Sequence, residues 1–178
     1  SATGSFTGSA TFTDYAEYFE NLTTGVIPLG TIVTLDGERV RPAGPSDEIL
    51  GVVSGTAIIK AGDSPFAWSG RFLTGEFGEP LYEEVTDEDT NDNYIAYKQS
   101  PDWDPSQPQV ARSERPEEWT CVGLLGQLHV RVSANVGPGD YINAVGGKAD
   151  GTTRLRCMVI TQAFCVEKGY AVAKSFLR

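Results

Sequence analysis

The sequence predicts a mainly β fold: a compact barrel- or sandwich-like domain with long loops and at most short helices. Three observations carry that expectation. Turn signals recur about every ten residues through the N-terminal half. The 20 glycines and 10 prolines are spread along the chain, and no segment keeps apolar residues at helical spacing for three turns. With 178 residues and 40 % apolar content, the chain is long enough for one domain with a substantial core.

Residues 1–13, SATGSFTGSATFT, are small and uncharged and read as an upstream strand or linker suited to stacking against copies of itself. DYAEYFE then sets Asp14 and Glu17 three apart among aromatic rings, a spacing that predicts one short helix over residues 15–20. NLTTG reads as a loop, and Asn21-Leu22-Thr23 fits the N-glycosylation pattern. GTIVTLDGERVR, residues 30–41, is the clearest hairpin: a β-branched run, Asp36-Gly37 as a two-residue turn, and a returning strand. After a loop over 42–47, ILGVVSG and TAIIK read as two more strands, and residues 61–80, with Trp68, Phe72 and Phe77, as an ordered loop region.

LYEEV and YIAYK flank TDEDTNDN, a solvated hairpin tip. Asp87 and Asp89 there lack the later glutamate of a calcium loop, so no metal site is assigned. SPDWDPSQPQVARSERPEEW, residues 100–119, has no period; a loop of that length in a compact domain usually serves function or an interface. Its Trp103, Arg112, Arg115 and Trp119 are candidate interface or anion contacts, with interface favoured because Arg and Trp are common anchors there. CVGLLGQLHVRV, GPGDYINAV, GGKADG, RLRCMVITQAFCV and KGYAVAKSF are strand and turn again.

Charge and composition narrow the function. A formal charge of -10, from 24 acidic against 14 basic residues, and a pI near 4.5 repel phosphate backbones and anionic lipid heads, so neither nucleic acid nor a membrane is an expected partner. No apolar run approaches the roughly 20 residues that cross a bilayer. The N-terminus has no signal-peptide pattern and reads as the start of a C-terminal piece excised from a longer protein. Cys121, Cys157 and Cys165 are odd in number and lack CxxC spacing, which predicts reduced thiols packed among apolar residues. His129, the single histidine, shares a strand face with Gln127 and Arg131, so a rim position is expected and His-centred triads are excluded. Walker, G-x-S-x-G and HExxH motifs are absent, as is a GxGxxG after a strand. A hydrolase built from this chain would have to use carboxylates.

Asp14 and Glu17 admit two readings. In one, Asp14 caps a short helix and Glu17 reaches back to the cap amide, a D-x-x-E form of the capping box. In the other, the two carboxylates lie together on one helical turn among Phe12, Tyr15, Tyr18 and Phe19. Desolvation and repulsion would then keep one protonated as an acid and leave the other as a base. Spacing alone favours the cap.

DYAEYFE, ILGVVSG and above all PDWDPSQPQVARSERPEEWTCVGLLGQLHV resemble the C-terminal intramolecular-chaperone domain of phage pre-neck appendage, or tail-spike, proteins, a family of autoproteolytic glutamic peptidases. The resemblance runs in order from about Asp14 to about Val132, whereas the tail after Val132 is expected to depart from the family ending. It implies a homotrimer in which residues 14–178 assist assembly of the upstream part of the same polypeptide and then cut the chain before Asp14. Thr13 and Asp14 would flank the cut, with Thr13 where the type member has serine, and Asp14 and Glu17 would be catalytic. It also implies no cofactor for cleavage, ATP in release of the cut domain, and a virion precursor assembled in the host cytoplasm. Two rival readings stand beside it: a non-cleaving trimeric β-barrel cap or decoration module of a virion fibre, and an enzyme acting on an external small molecule.

Overall fold

The computed structural model describes residues 14–64, 70–106 and 110–178. Residues 1–13, including Thr13, and Trp68 lie outside the described residues, so the upstream strand and that aromatic are not placed. The described residues form β1 (Asp14–Glu20), β2 (Ile32–Asp36), β3 (Arg39–Pro42), β4 (Gly51–Val53), β5 (Ile59–Ala61), β6 (Tyr82–Thr86), β7 (Asn93–Tyr97), β8 (Trp119–Val132), β9 (Leu155–Cys165) and β10 (Tyr170–Leu177). A 3-10 turn at Arg112–Glu114 is the helical element among them, as a mainly β fold requires.

One eight-stranded sheet runs in the order β3-β2-β4-β8-β1-β5, with β10 added to β8 and β9 to β10, while β6 and β7 form a separate ribbon. The path ends at β3 and at β5, so the sheet is open and does not close into a barrel. Strand β8 organises it. Its 14 residues pair with β1 and β4 through the first half and with β10 through the second. Thr120, Val122, Leu128, Val130 and Val132 are buried at period 2 along it, as a strand with one face on a core dictates. The register slips between Tyr15 and Ala16, which face Leu125 and Gly123, so Leu124 is an extra residue in a bulge.

Two buried clusters flank this sheet. Leu128, Val130, Val132, Ile142, Leu155 and Leu177 anchor the larger. Val33, Val40, Val53 and Val122, with Phe19 and Leu124 packed against them, form the smaller. Each such side chain contributes about 1.5–3 kcal/mol by leaving water. Cys157 is buried in the larger cluster and Cys121 and Cys165 are half-buried, all three as free thiols. His129 is exposed on β8, where the sequence placed it.

Local corrections have simple causes. The β2–β3 turn is Gly37-Glu38, not Asp36-Gly37: Asp36 pairs with Arg39, and Gly37 takes φ 64°, which a residue without a Cβ adopts freely. Asn21 is no glycan acceptor in this fold. It is buried, its amide nitrogen donates to the carbonyls of Gly25 and Glu117 at 3.0 and 3.2 Å, and its oxygen accepts from Thr120 Oγ1 at 2.6 Å. At the β6–β7 tip, Asp87 Oδ1 accepts from the amides of Asp89 and Thr90 and closes the turn.

The loop over residues 42–47 rests on a carboxylate. Asp47 accepts Arg41 Nη1 at 2.6 Å, Arg41 Nη2 at 3.2 Å and the Gly44 amide at 2.6 Å. Arg41 first, and then that amide, hold the Asp47 carboxyl below its ordinary range. Lys148 and the Gly137 amide do the same to Asp140. Both groups are depressed in the folded state, so their stabilisation is present above the unfolded pKa of about 3.9 and is lost as pH falls through the folded value. We expect the melting temperature to drop on acidification below about pH 4, and Asp47→Asn with Asp140→Asn to flatten that slope in a thermal melt series; an unchanged slope would refute the assignment.

Candidate active site

The helix expected at DYAEYFE is a strand. Residues Asp14–Glu20 pair antiparallel with β8, from Asp14 opposite Gly126 to Glu20 opposite Trp119, and parallel with β5 through Tyr15, Ala16 and Glu17. Two tyrosines and a phenylalanine suit a pleated surface packed on both sides, and pairing on both edges outweighs the local capping pattern. Side chains three apart on a strand point to opposite faces. Asp14 and Glu17 are therefore not the adjacent pair that one helical turn would have made, and the cap does not exist either.

Asp14 is fully buried, and its Oδ2 accepts a hydrogen bond from Ser54 Oγ at 2.6 Å. Ser54, just past β4, is itself fixed: its amide donates to the Cys121 carbonyl at 3.0 Å, and its hydroxyl oxygen accepts from the Thr56 amide at 3.2 Å. The carboxylate fits because position 123 is glycine; a Cβ there would stand 3.2 Å from Asp14 Oδ2 and run into Leu128. Nearby, burial pushes the Cys121 thiol up, with Lys60 opposing and Asp14 adding to the rise. A thiol so held is protonated at neutral pH and is no nucleophile.

Glu17 is half-buried on the other face of β1, where the Tyr15 hydroxyl donates to its Oε1. That bond is the main reason the Tyr15 phenol lies above its ordinary range. Tyr15 and Glu17 share a face because they are two apart on a strand. Sequence reading missed Tyr15, Ser54 and Gly123 as parts of this site. A hydroxyl ending the buried run of ILGVVSG was the available signal for Ser54; the tyrosine only becomes visible once period 2 replaces period 3.6.

The loop candidates divide. The Arg112 guanidinium lies 3.9 Å and that of Arg115 5.9 Å from the Trp119 ring centroid, so these three come together. Trp103 instead takes Arg71, at 4.7 Å. Arg112 Nη1 donates to the Gly62 carbonyl at 3.0 Å and Arg115 Nη1 to Glu118 Oε2 at 3.0 Å. Asp63 clasps the same loop, accepting from the Ser113 amide at 2.7 Å and its hydroxyl at 2.9 Å. With Asp63 and Glu118 beside them, Arg112 and Arg115 fit a role in seating this loop on β5 and β8.

The entire chain, residues 1–178, matches the family described as Peptidase_G2, IMC autoproteolytic cleavage domain. The pre-neck appendage protein of Bacillus phage phi29 is 44% identical over 170 residues, covering 94% of this chain and 19% of that protein. The crystal structure of the pre-mature bacteriophage phi29 gene product 12 superposes with a TM-score of 0.86 at 41% identity, covering 100% of this chain and 23% of the other. That of the gene product 12 C-terminal fragment gives 0.78 at 42% identity, covering 93% and 100%. The chain thus spans about a fifth of the length of the full appendage protein and the whole of the gene product 12 C-terminal fragment. The likeness extends over the whole chain, so the tail after Val132 does not depart from the family as the sequence reading expected; β9 and β10 are part of the shared fold. This chain belongs to the Peptidase_G2 family and is a self-cleaving peptidase domain.

Proposed function

We propose that this domain is the C-terminal intramolecular chaperone of a phage spike or appendage protein, that it brings three copies together, and that it cuts its own chain between Thr13 and Asp14. The observation that carries this reading is the site at the first residue of β1: a fully buried carboxylate at position 14, gripped by a buried hydroxyl, in a family defined by autoproteolysis. Exposed apolar groups support association of copies. Phe77 is 88% and Val166 87% exposed, and the β9 strand offers Met158, Val159 and Phe164 along an edge. Among the described residues no helix is long and apolar enough to cross a membrane.

The chemistry is hydrolysis in cis or between subunits. Glu17, on the face held by Tyr15, takes a proton from water as its oxygen bonds the Thr13 carbonyl carbon. The carbon–nitrogen bond then breaks, and the Asp14 carboxyl delivers its proton to the departing amine of its own residue. Each proton transfer supplies about 10²-fold or more. Assembly would set the timing, because covering the half-open Glu17 face removes water and strengthens every charge effect there. Cleavage needs no cofactor in this scheme, and ATP, which the resemblance implies for release, has no part in it.

In a virion precursor assembling in the host cytoplasm, the domain would act once per chain. The test is intact mass of the protein expressed with its native upstream sequence, alongside sedimentation. A released product beginning at Asp14, from a species of three chains, is expected. A cut elsewhere sinks the assignment of the bond, and uncut stable trimers would favour the permanent fibre cap.

A further inference from the structure

We infer that Ser54 is a positioning residue for the cleavage: its hydroxyl fixes the rotamer of the Asp14 carboxyl that delivers the proton. The inference rests on the proposed role of Asp14 and goes beyond it. Ser54 Oγ is within 2.6 Å of Asp14 Oδ2, both residues are buried, and they are 40 positions apart in sequence. The hydroxyl is not a free rotor. Its oxygen accepts from the Thr56 amide at 3.2 Å, which directs its own proton toward Asp14.

The surroundings are built around this contact. Ser54 follows directly on β4, whose Val52 and Val53 pair with Gly123 and Val122 of β8, and β8 carries β1 on its other side. Its amide is tied to the Cys121 carbonyl at 3.0 Å. The missing side chain at Gly123 opens the space in which carboxylate and hydroxyl meet. A buried serine with only a packing role needs neither the glycine nor a carboxylate partner. Proton delivery to an amine depends on the carboxyl's rotamer, and a small misplacement can cost about 10²-fold in rate.

The experiment uses the spike chain with its native upstream sequence, as wild type, Ser54→Ala, Ser54→Thr and Glu17→Gln, with cutting followed by intact mass and assembly by sedimentation. The cutting rate of Ser54→Ala should fall about 10-fold or more once the hydroxyl that fixes the Asp14 carboxyl is gone, and Ser54→Thr, which keeps a hydroxyl, should recover most of the wild-type rate. If Ser54→Ala fails to assemble, Ser54→Cys keeps the volume with a weak donor and should show the same fall. Wild-type cutting in the assembled variant, or no recovery in an assembled Ser54→Thr, overturns the inference while a blocked Glu17→Gln leaves the acid-pair reading intact. Normal cutting in Glu17→Gln overturns that reading and takes this one with it.

Discussion

Glu17→Gln should leave the precursor whole without preventing copies from assembling. The expected loss is about 10²- to 10⁴-fold in cutting rate, the range that a positioned general base supplies. Glutamine has the same shape as glutamate and keeps a carbonyl oxygen to accept the Tyr15 hydroxyl bond, so β1 and its pairings to β8 and β5 are undisturbed. What it cannot do is take a proton from water. Loss of cutting without loss of assembly therefore isolates the base. Tyr15→Phe provides the graded comparison: Glu17 stays but is less well held, and a smaller fall, about 10-fold, is expected. The readout is the fraction cut against time by gel and intact mass. Rapid processing in Glu17→Gln would remove Glu17 from the mechanism, and the base would have to be sought on the Asp14 face of the strand.

Both acids were legible in the sequence as residues, but not as geometry. DYAEYFE carries aromatic and acidic groups on even and odd positions alike, because β1 is covered on both edges and partly on both faces; neither period 2 nor period 3.6 stands out in such a segment. A Glu three after an Asp then mimics a capping box. β8 and β10 were readable because buried residues alternate along them, the strand in ILGVVSG because it is a short apolar run buried throughout, and the hairpin at residues 30–41 because a β-branched run meets a glycine turn. Closure was not readable. Whether strands with these turns seal into a barrel depends on which edges meet, and here β8 branches to β1, β4 and β10, leaving β3 and β5 as ends. The Ser54 contact was out of reach for the same reason, since 40 residues and two strand pairings separate it from Asp14.

Gly51→Ala should damage the fold severely, although it adds a single methyl group. A Cβ at position 51 would meet Val122 Cγ1 at 2.6 Å and the Gly123 carbonyl oxygen closer still. The backbone oxygen cannot swing aside as a side-chain end can, so β4 must move off β8. Overpacking of this kind costs about 1–3 kcal/mol and sometimes more. For a chain of this size a 3 kcal/mol loss lowers the melting temperature by roughly 6–12 °C. Displacement of β4 also carries Ser54 away from Asp14, because Ser54 is the next residue after that strand. Cutting should therefore fall more steeply than stability, even at temperatures where the variant stays folded. Gly151→Ala is the control: nothing lies within 4 Å of its added Cβ, and a neutral or slightly stabilising effect is expected. Measured side by side by thermal melts and cutting rates, equal behaviour of the two variants would mean that β4 is not pressed against β8 as closely as the register requires. A stability loss without a cutting loss would separate the fold's tightness at Gly51 from the placement of Ser54.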